Sequence, residues 1–456
     1  MTAIANGFKS RLGRMASLAL CLVLAFTLTA TPAGAQAQIR IIRDAEIESM
    51  IRDFAIPLFK AAEIPFEPTV YIVADRAFNA FVVEDGSIFI NYGTLIEAGN
   101  ANQLKAILAH EIGHVAGGHL ARIREQMNIN VTLQAVAMVL GAGAAAASGL
   151  SGGPSLGGVA AAFILASQSA GTNALMAYRR SEESAADAAA LKFLERSGQS
   201  GRGMVEVLEY LKREEAAGYS SYVRSHPEAG QRIDQVKTAA RDLSHYGDTG
   251  SSRDDTRLEM ARAKVIGFLE SHATVVNTYP NSDKSQAGRY ARVITAYKSG
   301  AGLSAIPVMA DLAAASPSNA YFQELLGQMY VETGNPQKAV APLERAVKLA
   351  PDEPLIRVLY AHALIETRNA ANVKEAILQL KRAANEDSDT VFAYTLLSRA
   401  YAALGETGEA NLAAAEAALG RGDEGIALGL ARKAQEELTA GTPAWLRADD
   451  ILSLNR

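Results

Sequence analysis

Residues 104–120 read LKAILAHEIGHVAGGHL, and the rest of the chain is organised around them. His110, Glu111 and His114 fall in the order H-E-x-x-H. Residues four apart on a helix share a face, so both imidazoles can grip one ion with Glu111 beside it. Leu104, Ile107, Leu108, Ile112 and Val115 recur at intervals of three and four, as a half-buried helix requires. A neutral imidazole pair suits zinc, and a catalytic zinc keeps one position open for water. Glu111 is then the base that takes that water's proton. The five-residue pattern also arises by chance, so a third ligand has to be found elsewhere.

Residues 178–196, YRRSEESAADAAALKFLER, supply it. Glu183 and Asp187 are four apart and share a helix face. A carboxylate from a second helix is an established third zinc ligand. Asp187 can accept the free ring N–H of a ligating histidine and fix its tautomer. Glu182 is the rival ligand, about a quarter-turn from the face of Asp187. His119 is not assigned to the metal. In the pattern HExxHxxGxxH the last histidine would fall at position 120, which is Leu120. On a continuous helix His119 also faces away from His110, so it reads as a helix-end or core histidine.

The chain of 456 residues has room for two or three domains. Its net charge of −5 comes with no basic block of the kind that binds nucleic acid. Lys9, Arg11 and Arg14 precede the apolar run Ala16 to Ala30, and Ala33-Gly34-Ala35 offers a cleavage site, so residues 1–35 read as a cleaved secretory signal. Their removal takes away three positive charges and no acids, leaving −8, together with the one cysteine, Cys21. Asp44 can cap a helix from Ala45 to about Ala62. Thr69 to Ala74, Phe78 to Val83 and Ser87 to Asn91 read as strands, and an edge strand among them could hold an extended peptide. Val131 to Gly171 contains no charged residue. It reads as a small-residue helical hairpin, serving as a mobile lid or as a peripheral membrane contact; two short membrane spans are the other option.

With HEIGH at 110–114, E-x-x-A-D at 183–187, NAFV at 79–82, Arg180 and SHP…R (Ser225, His226, Pro227, Arg232), the chain resembles the HtpX/CAAX-protease-like zinc metallopeptidases over about Ile39 to Ala239. The resemblance implies that His110, His114 and Glu183 hold one Zn2+ per chain and that Glu111 is the catalytic acid/base. It places Arg180 with Asp187 behind the ligands, and Asn79, Ala80 and Phe81 beside the substrate. The cleavable signal points to the soluble periplasmic branch of that family, which carries C-terminal tetratricopeptide repeats.

Those repeats can be checked. Leu326-Gly327, Tyr330, Ala339, Leu343, Ala346 and Pro351 follow the 34-residue helix-turn-helix template. Ala361, Leu364, Ala376, Leu380 and Ala383 repeat it with an insertion near Asn369 to Asn372. Leu397, Tyr401, Ala410, Ala414 and Ala417 give a third copy, and Ala305, Met309, Leu312 and Pro317 a weaker first one. Such repeats offer a concave surface for protein partners.

The expected fold is α+β, mostly α: a zincin-type peptidase domain with a small sheet, followed by an all-α solenoid. The domains are a signal at 1–35, the metallopeptidase at 36–240, a linker with a strap helix at 241–285 and the repeats at 286–456. The expected function is a periplasmic zinc endopeptidase in envelope and outer-membrane protein quality control. Its substrates would be unfolded or stalled envelope proteins, and its repeats would recruit the outer-membrane assembly machinery. The alternative is a non-catalytic chaperone or assembly factor with a structural or vestigial zinc site. A third reading is a membrane-integrated protease with spans in Val131 to Gly171. His226 has three possible roles: oxyanion stabiliser, plug of the open metal position, or surface cap of a helix from Pro227 to Arg241. A protease that must spare healthy proteins has reason to be latent, which favours the plug.

Overall fold

Asp44 starts the folded core. In the computed structural model, which describes residues 40–83, 85–119, 180–217, 226, 229–386 and 391–454, its backbone is extended and its carboxylate accepts the Ile47 N–H at 3.0 Å. This cap opens α1 (Ala45–Ala61), whose Ile47, Met50, Ile51, Phe54 and Leu58 are all buried, as their spacing demands. The expected signal at 1–35 and the charge-free run 131–171 lie outside the described residues. Among the described residues no helix is long and apolar enough to cross a membrane.

A four-stranded sheet lies against α1. Its strands are β1 (Ile41–Ile42), β2 (Thr69–Val73), β3 (Ala80–Val82) and β4 (Ser87–Asn91), in the order β1-β2-β4-β3. The β2–β4 pair is parallel and the outer two are antiparallel. Alternation sorts the faces: Val70, Ile72, Ala80, Val82, Ile88 and Ile90 are buried in the core, while Tyr71, Phe89 and Phe81 stack across the other face at 5.1 and 4.9 Å. The edge strand is shorter than expected because Phe78 leaves the ladder and packs on Tyr210.

Next come α2 (Tyr92–Glu97) and α3 (Ala101–Ala116), the latter carrying H-E-x-x-H. Residues 180–196 are helical (α4), followed by α5 (Arg202–Ala217) and α6 (Ala229–Arg241). The strap helix α7 (Ser252–Leu269) serves two cores. Leu258, Ala261 and Val265 join the peptidase core, whereas Met260, Ala263 and Ile266 join a second core with Tyr290, Phe322 and Met329. Its first turn also grips the start of α3: Asp255 accepts the Ala101 N–H at 2.8 Å and Asp254 pairs with Lys105 at 2.6 Å.

Beyond the strap, α8 (His272–Thr278), α9 (Gln286–Ala296) and α10 (Gly302–Ala315) lead into the repeats. The pairs are α11 (Ala320–Glu332) with α12 (Pro336–Leu349), α13 (Pro354–Glu366) with α14 (Ala370–Glu386), and α15 (Val391–Leu404) with α16 (Thr407–Gly420). Then α17 (Glu424–Glu437) and α18 (Pro443–Ser453) end the stack, with Ile451 buried and Leu446 about half exposed. The template's Gly327 has a steric reason: a Cβ there would lie 2.3 Å from Leu343 of the partner helix.

The junction of the two cores is sealed by a buried charge cluster. Lys264 Nζ lies 2.7 Å from Asp44, 3.4 Å from Glu46 and 3.8 Å from Glu324, and the Tyr290 hydroxyl donates to Glu46 at 3.2 Å. Three acids face one lysine. Burial pushes the Glu324 carboxyl up to about 8; Lys264 opposes this, and Asp44 and Glu46 add to it. Burial likewise raises Glu46. A carboxyl whose folded pKa lies above its unfolded value binds more protons when folded, so its stabilising effect is complete in acid and is lost as pH rises through 8. Glu324→Gln removes that loss. The fall in thermal midpoint from about pH 5.5 to about pH 8.5 should therefore be smaller in the variant than in the wild type; an equal or steeper fall in calorimetry would refute it.

Candidate metal centre

Three separate elements converge at one buried point. From α3 come His110 and His114, from α4 Glu183, and from the chain after α5 His226, with one donor atom of each within 4.8 Å of all the others. His110 Nε2 lies 3.1 Å from His114 Nε2 and 3.3 Å from His226 Nδ1. Glu183 lies 3.4 Å from each of the two α3 imidazole Nε2 atoms and 3.0 Å from His226 Nδ1. Four nitrogen or oxygen ligands about 2.0–2.1 Å from a tetrahedral zinc would stand roughly 3.3 Å apart. The donor set and its spacing therefore fit zinc.

The electrostatics also suit a cation. Burial works against charge on His110, but Asp187 and Glu183 outweigh it and hold its pKa up at about 10. Burial works against ionised Glu183 too, yet the three imidazoles around it hold its carboxyl far below the usual range. His114 is lowered, chiefly by burial. Behind the donors, Arg232 forks onto Asp187 at 2.6 and 2.5 Å and reaches Glu183 at 2.6 Å. His110 Nδ1 is 2.9 Å from Asp187 Oδ1, though the ring N–H is poorly aligned with it.

The structure places the remaining expected residues as follows. Glu111 is buried beside the donors, its carboxylate 3.6 Å from His226 Nε2. Asp187 is buried on the face of Glu183. Glu182, the rival ligand, turns instead to His119 Nε2 at 2.8 Å. Arg180 is exposed at the start of the described part of α4, and Arg232 lays its guanidinium on Asp187 and Glu183. His226 is 8% exposed, which overturns its reading as a surface cap. Asn79 and Phe81 are half-buried and Ala80 is buried. The Asn79 main chain is fully used, its N–H by the Thr94 hydroxyl and its carbonyl by Thr94 and Asn91.

Two residues were missed. His119 is buried against His114, Nδ1 to Nδ1 at 2.8 Å. On a continuous helix His119 would face away, but α3 ends at Ala116 and Gly118 takes φ +64°, so the chain folds back. The Gly117-Gly118 pair was the available signal. Arg232 lies 45 residues beyond Asp187, and only the SHP…R pattern hinted at it.

A protein that buries two histidines and a glutamate around one point, with an H-E-x-x-H glutamate beside them, is a metalloprotease. Residues 42–240 match peptidase family M48 and residues 301–446 match a tetratricopeptide repeat family, so the chain carries an M48 peptidase domain followed by C-terminal repeats. It is similar to the beta-barrel assembly-enhancing protease of Escherichia coli K12, with 26% identity covering 78% of this chain and 72% of that protein. It also resembles metalloprotease YcaL of Escherichia coli K12, with 30% identity over 38% of this chain and 61% of that protein. A protease HtpX homolog of Helicobacter pylori is 34% identical over 15% of this chain and 23% of its own length.

Gly113 sets the distance between the two metal-facing helices: a Cβ there would lie 2.8 Å from the Ala186 carbonyl oxygen of α4. Backbone cannot yield as a flexible side chain can, so Gly113→Ala must push α4, and Glu183 with it, away from the histidines. Overpacking of this kind costs about 1–3 kcal/mol. The variant should fold with a lowered thermal midpoint and bind metal more weakly, read by metal analysis after dialysis; wild-type metal content would refute the constraint.

Proposed function

We propose that this chain is a zinc endopeptidase exported to the periplasm, where it acts on unfolded or stalled outer-membrane proteins. In this reading His110, His114 and Glu183 hold the ion, and the repeats recruit the substrate or the assembly machinery. The convergence of four donor atoms beside Glu111 is the observation that supports the chemistry. The similarity to the beta-barrel assembly-enhancing protease of Escherichia coli K12, which spans 78% of this chain, supports the setting.

When bound, zinc supplies Lewis acidity. The chain's own residues do the rest. Glu111, buried next to His110, takes the proton of the attacking water and hands it to the leaving amine. Asp187 and Arg232 keep His110 and Glu183 from turning. The substrate lies along β3, the edge strand packed on α3. Asn79 and Val83 bond to β4, and by antiparallel alternation Phe81 does too, so the groups facing the free edge belong to Ala80 and Val82. His226 places Nδ1 among the donors and Nε2 towards Glu111. That position supports the plug: one imidazole fills the site where water must sit and engages the base as well.

The rival reading, a non-catalytic assembly factor, does not need Glu111, which is no ligand. Glu111→Gln should keep its metal and its fold while losing on the order of 10²–10⁴ in peptidase rate on casein. Turnover like the wild type would remove the mechanism. His226→Ala should raise activity with metal retained; a variant-to-wild-type ratio below one would exclude the plug and favour an oxyanion role.

A further inference from the structure

We infer that His119 and Glu182 form a positioning relay that fixes the orientation and tautomer of His114. The inference rests on the reading of His114 as a metal ligand and adds two residues behind it. His119 is 3% exposed and Glu182 8%. The chain of contacts is short and directed: His114 Nδ1 to His119 Nδ1 at 2.8 Å, then His119 Nε2 to Glu182 Oε2 at 2.8 Å. The two rings stand nearly perpendicular, at 80°, so a lone pair on one can meet an N–H in the plane of the other.

The donor roles follow from the far end. An ionised carboxylate only accepts, so His119 Nε2 donates. A neutral His119 then accepts at Nδ1, and His114 must donate from its own Nδ1. That leaves the lone pair of His114 on Nε2, the atom facing His110 and Glu183. A ligating histidine ordinarily gives its second N–H to a carboxylate or carbonyl. His110 turns its Nδ1 towards Asp187 at 2.9 Å, whereas His114, one turn further on at the end of α3, meets Glu183 through Nε2 and turns its Nδ1 to His119. The His119 imidazole stands between it and Glu182. The backbone is shaped for it: Gly118 has φ +64°, and a Cβ at Gly117 would fall 2.2 Å from His119 Nε2. One helix thus supplies three acids with three separate tasks, Glu183 among the donors, Asp187 behind His110 and Glu182 behind His119.

The test is zinc affinity of the full-length protein by competition with a chromophoric chelator, together with the thermal midpoint of the zinc-free form. His119→Phe fills the space without ring nitrogens and should weaken zinc about 10–100-fold. His119→Gln can accept from His114 and donate to Glu182, and should stay within a few-fold of wild type. Glu182→Leu should weaken zinc, and Glu182→Gln, which still accepts, should not. A merely structural role would lower the zinc-free midpoint of the Phe and Gln variants alike without separating their affinities, and that result overturns the relay. His114→Ala separates the two levels. If it loses zinc while both His119→Phe and Glu182→Leu keep wild-type affinity, only the relay fails. If His114→Ala itself retains zinc, the ligand assignment falls and the relay with it.

Discussion

The centre depends on how closely two helices can approach. At Gly113 the backbone of α3 meets the backbone of α4 at Ala186 with no side chain between them. The residues at that contact are small on both sides: Gly113 on one helix, Ser184, Ala185 and Ala186 on the other. Any larger residue would add about the width of a methyl group to the separation. Glu183 would then fall short of the two imidazoles it now reaches at 3.4 Å. H-E-x-x-H is thus half of a site whose other half arrives only because glycine and alanine let it.

Closeness creates a charge problem. Glu111, Glu182, Glu183 and Asp187 are all buried between or beside these helices, and buried carboxylates are costly unless paired. The structure pairs each differently. Arg232 covers Asp187 and one oxygen of Glu183, His119 meets Glu182, and His226 sits near Glu111. Removing Arg232 would leave two acids facing each other through His110, so its place in the site is electrostatic. A metal ion held by the donors would complete the same balance from the other side.

Local periodicity made much of this legible. Spacings of four exposed His110 with His114 and Glu183 with Asp187, the Asp44 cap marked the start of α1, and the small residues of the repeats fell on the template that α11 to α16 follow. What stayed hidden depended on breaks or on distance. The two residues of β1 are too few to show a period. The fold-back of His119 is invisible to helix-face reasoning, because that reasoning extends the helix through Gly117 and Gly118. The partnership of Arg232 with Asp187 joins helices whose relation is set by packing, which no spacing rule encodes.

The solenoid is no loose appendage to this site. The strap helix α7 buries one face in the peptidase core and another in the core that the first repeats share, and Lys264 locks the seam with acids from α1 and α11. Its first turn holds the N-terminus of α3 through Asp254 and Asp255. From Ala101 to His110 along that helix is about 14 Å, and the helix between is buried and stiff. The repeats and the start of the metal-facing helix are therefore joined through hydrogen bonds and packed side chains. With a flexible linker, a partner on the repeats would change only the local concentration of substrate. A rigid strap would also fix how such a partner stands relative to the peptidase core.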